Sequence, residues 1–275
     1  APTKIMKINS TLLVYAEPTN KEEKSTLEVV RSTLKKYKIN YIDSKREILN
    51  KKLFQNKDLI IVVGGDGTFL RVSHFIFDKT PIFGVNTDPR YKEGFFMAAM
   101  KKDFEKKIKK IVKNNFEMKK IQRLEAYIGN RKIQELALNE FYVASEKQHH
   151  TARYFLSVRG KKEKQKSSGI LISTAAGSNA WIKSAGGKIL PLNSGKFEYL
   201  VREPYCGRVS ARCGLANGIL NKNEKLEVVF ESSKGVLIAD SLGNEHKFKA
   251  GQKVMVKISK NPLYIVSFNR SNGGI

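Results

Sequence analysis

The chemically most loaded stretch of this chain is Gly64-Gly65-Asp66-Gly67-Thr68. It follows the apolar run Leu59-Ile60-Ile61-Val62-Val63 and precedes residues with helical spacing. The glycines leave the backbone conformationally free and let a ligand come close to it. The N-terminus of the helix that follows offers free N–H groups and the positive end of a dipole, which suits phosphate. The turn lacks the lysine and spacing of a Walker A loop, and it is not the Gly-x-Gly-x-x-Gly dinucleotide fingerprint. What sets it apart is an acid among the glycines. A carboxylate beside phosphates is repelled unless it has work there, such as taking a proton from an attacking hydroxyl or helping to hold Mg²⁺. Asp66 is therefore the candidate general base, and Gly64, Gly65, Gly67 and Thr68 are candidate phosphate contacts. A tight turn with a helix-capping aspartate is the competing reading.

Three further segments carry polar groups after apolar runs. Asn86 ends a buried-type strand in Gly84-Val85-Asn86-Thr87-Asp88-Pro89. Asn139-Glu140 offers an amide and a carboxylate that can together hydrogen-bond a base edge or a ribose. The run Ser168-Gly169-Ile170-Leu171-Ile172-Ser173-Thr174-Ala175-Ala176-Gly177-Ser178-Asn179-Ala180-Trp181, continuing to Ser184-Ala185-Gly186-Gly187, is rich in small residues, which lets a flat nucleotide lie against the backbone. Trp181, the sole tryptophan, can pack on a ligand or equally serve the core. His149-His150 reads as an exposed loop, because adjacent histidines without further ligands are a poor metal site. No protein-built metal site is expected.

Taken in order, these segments resemble the NAD kinase family. The glycine–aspartate turn alone is shared with diacylglycerol and sphingoid kinases and, more distantly, phosphofructokinases. Gly84-Val85-Asn86, Asn139-Glu140 and the 173–187 segment narrow the resemblance to NAD kinases, and Thr87-Asp88-Pro89 with Glu93-Gly94-Phe95 looks closer to the divergent mitochondrial-type branch. Where many members have aspartate, threonine and tyrosine, this chain has Ser168, Asn179 and Trp181. The resemblance spans roughly residues 10–270. It implies a kinase that moves the γ-phosphate of ATP, with Mg²⁺, onto the 2′-hydroxyl of the adenosine ribose of NAD, with Asp66 as base. NAD would lie between two domains, against Gly67, Asn86, Asn139, Glu140, Asn179, Ala180, Trp181 and Ser184. Asp240 matches an acidic family position weakly. The resemblance also implies a homodimer or homotetramer, in the cytoplasm or, in a eukaryote, the mitochondrial matrix. A lipid kinase of the same superfamily and a non-catalytic basic nucleotide- or nucleic-acid-binding protein are the rival readings.

The elements that must position these residues can be read from hydrophobic period. Strand patterns at 11–15, 39–43, 58–63 and 81–86 alternate with helix patterns at 21–37 and 68–78. Continuously apolar strands alternating with helices indicate a parallel sheet covered on both faces. A helix is expected over 103–115, with Phe104, Ile108, Ile111 and Val112 inward. Beyond it, short strands at 126–128, 133–143, 154–158, 170–173, 225–231, 236–239 and 253–259 predict an all-β half. The expected domains are thus an α/β domain over 1–98 and a β-rich, NAD-binding domain over 99–261, with 262–275 a candidate for return to the first.

Composition bounds the rest. The 275 residues are 41% hydrophobic, enough for a real core, and no apolar run approaches the roughly 20 residues of a membrane helix. The first residues, Ala1-Pro2-Thr3-Lys4, do not look like the start of a signal peptide. Net charge is +25, with lysine dense at 101–113 and 159–166. Aromatics do not interleave with these runs as a nucleic-acid stacking surface requires, so solvated lysine faces and attraction of anionic small substrates are the expected meaning. Cys206 and Cys213 are expected to be unpaired thiols in a reducing compartment.

Overall fold

The computed structural model describes residues 8–207, 213–231, 234–242 and 244–268; the start of the chain and residues 269–275 lie outside it. The chain divides into two compact units, one of residues 1–120 with 263–275 and the other of 121–262. The boundary expected at 98 therefore moves to 120. The reason is packing: Phe104, Ile108 and Ile111 of the lysine-rich helix are fully buried in the first unit's core.

The first unit runs β1 (Thr11–Tyr15), α1 (Lys21–Lys36), β2 (Tyr41–Lys45), β3 (Leu59–Gly64), α2 (Asp66–Ser73), β4 (Ile82–Asn86), β5 (Met97–Met100), α3 (Phe104–Val112) and β6 (Glu117–Ile121). β3 and β4 are buried at every position, which is why they read as unbroken apolar runs. α1 starts where the Asn20 side chain accepts the Glu23 N–H, and it ends with Lys35 and Lys36 at the negative end of its dipole. Its inward stripe is Leu27, Val30 and Leu34. α2 differs from its expected span. It begins inside the glycine turn, and it stops at Ser73, because Phe75 turns away to stack on Phe54 at 5.0 Å.

The second unit holds β7 (Leu124–Ile128), β8 (Arg131–Lys132), β9 (Glu140–Ser145), β10 (Ala152–Val158), β11 (Lys161–Ser167), β12 (Gly169–Thr174), α4 (Trp181–Ser184), β13 (Lys196–Arg202), β14 (Asn217–Asn221), β15 (Lys225–Phe230), β16 (Gly235–Ala239), β17 (His246–Phe248) and β18 (Lys253–Ile258). Two sheets, ordered β11-β10-β15-β18-β7-β8 and β14-β13-β12-β9-β16-β17, share one core. Phe141, Val143, Ile170 and Ile172 face that core. Tyr142, Ala144 and Leu171 face the other way, onto Ile182 of α4. Both faces of β9 and β12 are covered, so neither strand shows polar alternation. The strand expected over 133–143 is shorter: β9 starts at Glu140, and 133–139 meets its neighbours through the isolated Leu124–Ala137 bridge and single backbone hydrogen bonds.

β19 (Leu263–Ser267) returns to the first sheet, ordered β2-β1-β3-β4-β19-β6 with β5 also on β4. β1, β2, β3 and β4 are mutually parallel.

The cysteines depart from expectation. Cys206 and Cys213 form a disulfide, their Cα atoms 5.9 Å apart. Both sit in the connection from β13 to β14, at a separation within the range a disulfide spans. Spacing alone gave no sign of this.

Candidate active site

In the first unit, β1 and β3 are neighbours, while the chain leaves β1 towards β2 on the other side. The carboxyl ends of strands at such a reversal form a crevice. A pocket of about 270 Å³ opens there, lined by Ala16 after β1, Arg46 after β2, Gly65, Asp66, Gly67 and Thr68 after β3, and Lys92 and Glu93. All the turn residues expected to meet phosphate except Gly64 line it. Gly64 is buried at the end of β3, where a Cβ would lie 2.8 Å from Thr68 Oγ1, so glycine is required for the turn to close.

Asp66 heads α2 and is only half-buried. Its Oδ2 accepts the N–H of Phe95 at 3.0 Å and its Oδ1 accepts that of Phe96 at 2.9 Å. A carboxylate has about four lone-pair sites, so two remain for a ligand. The turn from 86 to 92 supports this arrangement. Asn86 donates from Nδ2 to Lys92 O at 2.9 Å and accepts the Asp88 N–H at 3.1 Å, so both ends of its amide are engaged within the loop. The Lys92 ammonium is held by the buried Glu23 and donates to Thr87 Oγ1 at 2.9 Å. Burial raises and the Lys92 bond lowers the Glu23 carboxyl, with a net downward shift. A second cavity, of about 470 Å³, reaches Asn86, Met97, Met100 and the lysines of α3.

The second unit assembles Asn139-Glu140 with the 173–177 segment. Asn139 O accepts the Thr174 N–H at 2.8 Å, and Thr174 Oγ1 donates to Leu138 O at 2.6 Å. Gly177 approaches so closely that a Cβ would lie 2.2 Å from Asn139 O. Asp240, in the left-handed region with φ 51°, turns its carboxylate back on this segment. It accepts the N–H groups of Leu138 at 2.9 Å, Asn139 at 2.7 Å and Glu140 at 3.1 Å. Asp240 is thus a clamp on the dipeptide. The fully buried Arg123 supports it electrostatically, although burial draws the guanidinium down to about 10.

Two side chains in this cluster keep unused hydrogen-bonding capacity. The Asn139 amide makes no hydrogen bond to the described residues. Glu140 is 3% exposed, and its Oε2 is buried with no partner among them. Burial, with the nearby Asp240 charge, pushes the Glu140 carboxyl up to about 8. At neutral pH it is therefore protonated and can donate as well as accept.

The other expected contacts lie further along. Asn179 and Ala180 are half-buried on the turn before α4. Trp181 lies against Tyr142, with ring centroids 5.0 Å apart, and under the Arg202 guanidinium at 5.1 Å. Ser184 is exposed at the end of α4. Glu198, which sequence reasoning passed over, holds the glycine turn after α4 by accepting the Lys188 N–H with both oxygens. Arg46 and Arg123 were also missed. They belong to no motif, and only the fold brings them to their places. His149 and His150 contact each other with ring centroids 4.5 Å apart, and among the described residues no metal-binding cluster of three His, Cys, Asp or Glu groups occurs.

An acid set in a glycine turn at the mouth of a parallel sheet, with a second β unit carrying unpaired polar groups, defines a phosphate-handling protein with a separate polar ligand surface. Comparison with known proteins is specific. The profile of the ATP-NAD kinase N-terminal domain matches residues 4–116, and that of the C-terminal domain matches 138–268. A probable NADH kinase of Oryza sativa subsp. japonica is 26% identical over 94% of this chain and 85% of its own. An NAD kinase of Archaeoglobus fulgidus is 30% identical over 68% of this chain and 69% of its own. The crystal structure of an NAD kinase from Archaeoglobus fulgidus in complex with ATP superimposes with a TM-score of 0.76 at 25% identity, covering 95% of this chain and 94% of the other. The chain belongs to the ATP-NAD kinase family.

Proposed function

We infer that this protein transfers the γ-phosphate of ATP to the 2′-hydroxyl of the adenosine ribose of NAD, making NADP. The observation that carries the reading is the Asp66 carboxylate, fixed by two backbone N–H groups beside a phosphate-sized pocket. Asp66 takes the proton of the attacking hydroxyl. Gly65, Gly67 and Thr68 receive donor phosphates at the start of α2. Asn139 and protonated Glu140 hydrogen-bond the acceptor nucleotide, with Asn179, Ala180, Trp181 and Ser184 flanking it and Asn86 shaping the loop beside the turn. A general base contributes ~10²–10⁴-fold. Alignment and charge stabilisation account for the remainder.

Mg²⁺ is ordinarily held by one or two carboxylates plus substrate phosphates. Asp66 and Glu93 both line the pocket, so the residues present fit such an ion. Bound there with ATP, it would neutralise phosphate charge. The protein's relatives are named for both NAD and NADH, so both acceptors belong in the assay. We take the assembly to be a homodimer or homotetramer, and the setting to be the cytoplasm or, in a eukaryotic cell, the mitochondrial matrix. No helix among the described residues is long and apolar enough to cross a membrane. Membership of the ATP-NAD kinase family favours a nucleotide acceptor over a lipid or a nucleic acid. The test is incubation with ATP, Mg²⁺ and NAD or NADH, with NADP(H) read by an NADP-specific dehydrogenase. Absence of product from both acceptors defeats the proposal.

A further inference from the structure

Arg46 follows directly on β2 and belongs to none of the short motifs through which the sequence resembles the family. Its Nη1 donates to Thr68 Oγ1 at 3.2 Å, and its Nε donates to Glu47 Oε1 at 2.7 Å. It lines the same pocket as Asp66, Gly67 and Thr68. The pocket's other cation, Lys92, is paired with the buried Glu23. Arg46 is in a different state. Glu47, its partner, is about half-exposed, and a guanidinium has five N–H donors, of which these two bonds use two. The bond to Thr68 ties the guanidinium to the first turn of α2, beside Asp66 and Gly67.

We propose that Arg46 grips the terminal phosphoryl group of the triphosphate donor. This rests on the kinase reading. In the transfer, the acceptor 2′-oxygen forms a bond to the γ-phosphorus while the bond from that phosphorus to the β,γ-bridging oxygen breaks. The hydroxyl proton passes to Asp66, and ADP leaves with the electron pair. Negative charge is shared by the equatorial γ-oxygens and the leaving oxygen throughout, and a planar, permanently charged fork suits that load better than an ammonium does.

The test compares Arg46→Met and Arg46→Lys with the parent protein. Calorimetry measures binding of ATP and ADP separately, and steady-state kinetics measures KM for ATP and for NAD. Arg46→Met should weaken ATP binding by about 10- to 100-fold, the range for a hydrogen-bonded charge contact. ADP binding and the KM for NAD should stay within twofold. Arg46→Lys should recover only part of the ATP affinity. Because the Arg46 side chain is 41% exposed, neither variant should melt more than a few degrees below the parent. Equal losses for ATP and ADP, unchanged ATP binding, or full rescue by lysine would each overturn the assignment. If the parent binds ATP yet makes no NADP, the kinase reading fails, but the ATP-versus-ADP comparison still decides the role of Arg46. A parent that binds no ATP overturns both.

Discussion

Replacing Asp66 with asparagine separates chemistry from structure. The side chain accepts two backbone N–H groups, from Phe95 at 3.0 Å and Phe96 at 2.9 Å, one on each oxygen. An asparagine amide has one oxygen, so one of those N–H groups must face an NH₂. Hydrogen bonds to charged acceptors contribute about 1.5–3 kcal/mol, and Asp66 is half-buried, so the stability cost should fall at about 1–3 kcal/mol. In melting temperature that is roughly 2–8 °C. Against a typical margin of about 5–15 kcal/mol the protein stays folded at assay temperature. Any larger loss of turnover therefore reports on the reaction itself. Removal of a general base predicts a fall of at least ~100-fold in kcat, with the affinity for NAD retained. Coupled NADP formation gives kcat, calorimetry gives NAD binding, and circular dichroism gives the melt. Turnover within tenfold of the parent would refute Asp66 as base. An unchanged melt would refute the account of its hydrogen bonds.

Other substitutions probe the remaining pieces. Gly67 lies in the first turn of α2, where a Cβ would meet nothing within 4 Å, so Gly67→Ala should melt no lower than the parent and gain up to about 1 kcal/mol. Its methyl group would enter the phosphate pocket, so KM for ATP should rise several-fold; a stable variant with unchanged KM would remove Gly67 from the phosphate contacts. Gly177→Ala would put a carbon 2.2 Å from Asn139 O, forcing the backbone apart at a cost of about 1–3 kcal/mol. NAD affinity should collapse while ATP binding persists, and normal NAD affinity would show that the Asn139 geometry is not used. Glu140, raised to about 8 by burial and Asp240, gives a pH signature. Below the ordinary value of 4.5 both folded and unfolded chains hold the proton; between there and 8 only the unfolded chain loses it. Stability should therefore decline as pH rises through that window and level off above it, by on the order of a few kcal/mol. Glu140→Gln should lack this decline and be the more stable form at pH 9; parallel stability curves from pH 5 to 9 would contradict the buried, protonated carboxyl.

What was legible in the sequence was whatever declared itself locally. β3 and β4 read as strands because every position is buried, and the turn after β3 read as a phosphate site because glycines and an acid sit within five residues. α3 read as a helix from Phe104, Ile108 and Ile111, yet its assignment to the first unit could not be read, since amphipathic period says which face is buried and not against what. β11, Lys-Lys-Glu-Lys-Gln-Lys-Ser, was invisible as a strand and counted only as charge. It is the edge of its sheet, paired with β10 alone, where lysines discourage further strand addition. Met97–Met100 was missed for the opposite reason, being four residues with no β-branched side chain. Asp240 drew notice only as a weak match, because its partners, residues 138–140, lie about a hundred positions upstream. Arg46 and the Cys206–Cys213 bond depend in the same way on where loops finish.

The Asp240 clamp has a consequence for how this protein can be altered. Residues 138–140, 174–177 and 240 come from three distant parts of the chain, yet each fixes the backbone of another: Asp240 by three N–H bonds, Thr174 by its hydroxyl, Gly177 by the absence of a side chain. They form one transplantable part. A chimera that swaps the acceptor segment around Asn139 from a relative, while leaving the partners at 174–177 and 240 behind, would carry the right letters in the wrong shape. The least that can be exchanged is the trio together, and directed evolution of acceptor preference should find its gains as coupled changes across all three.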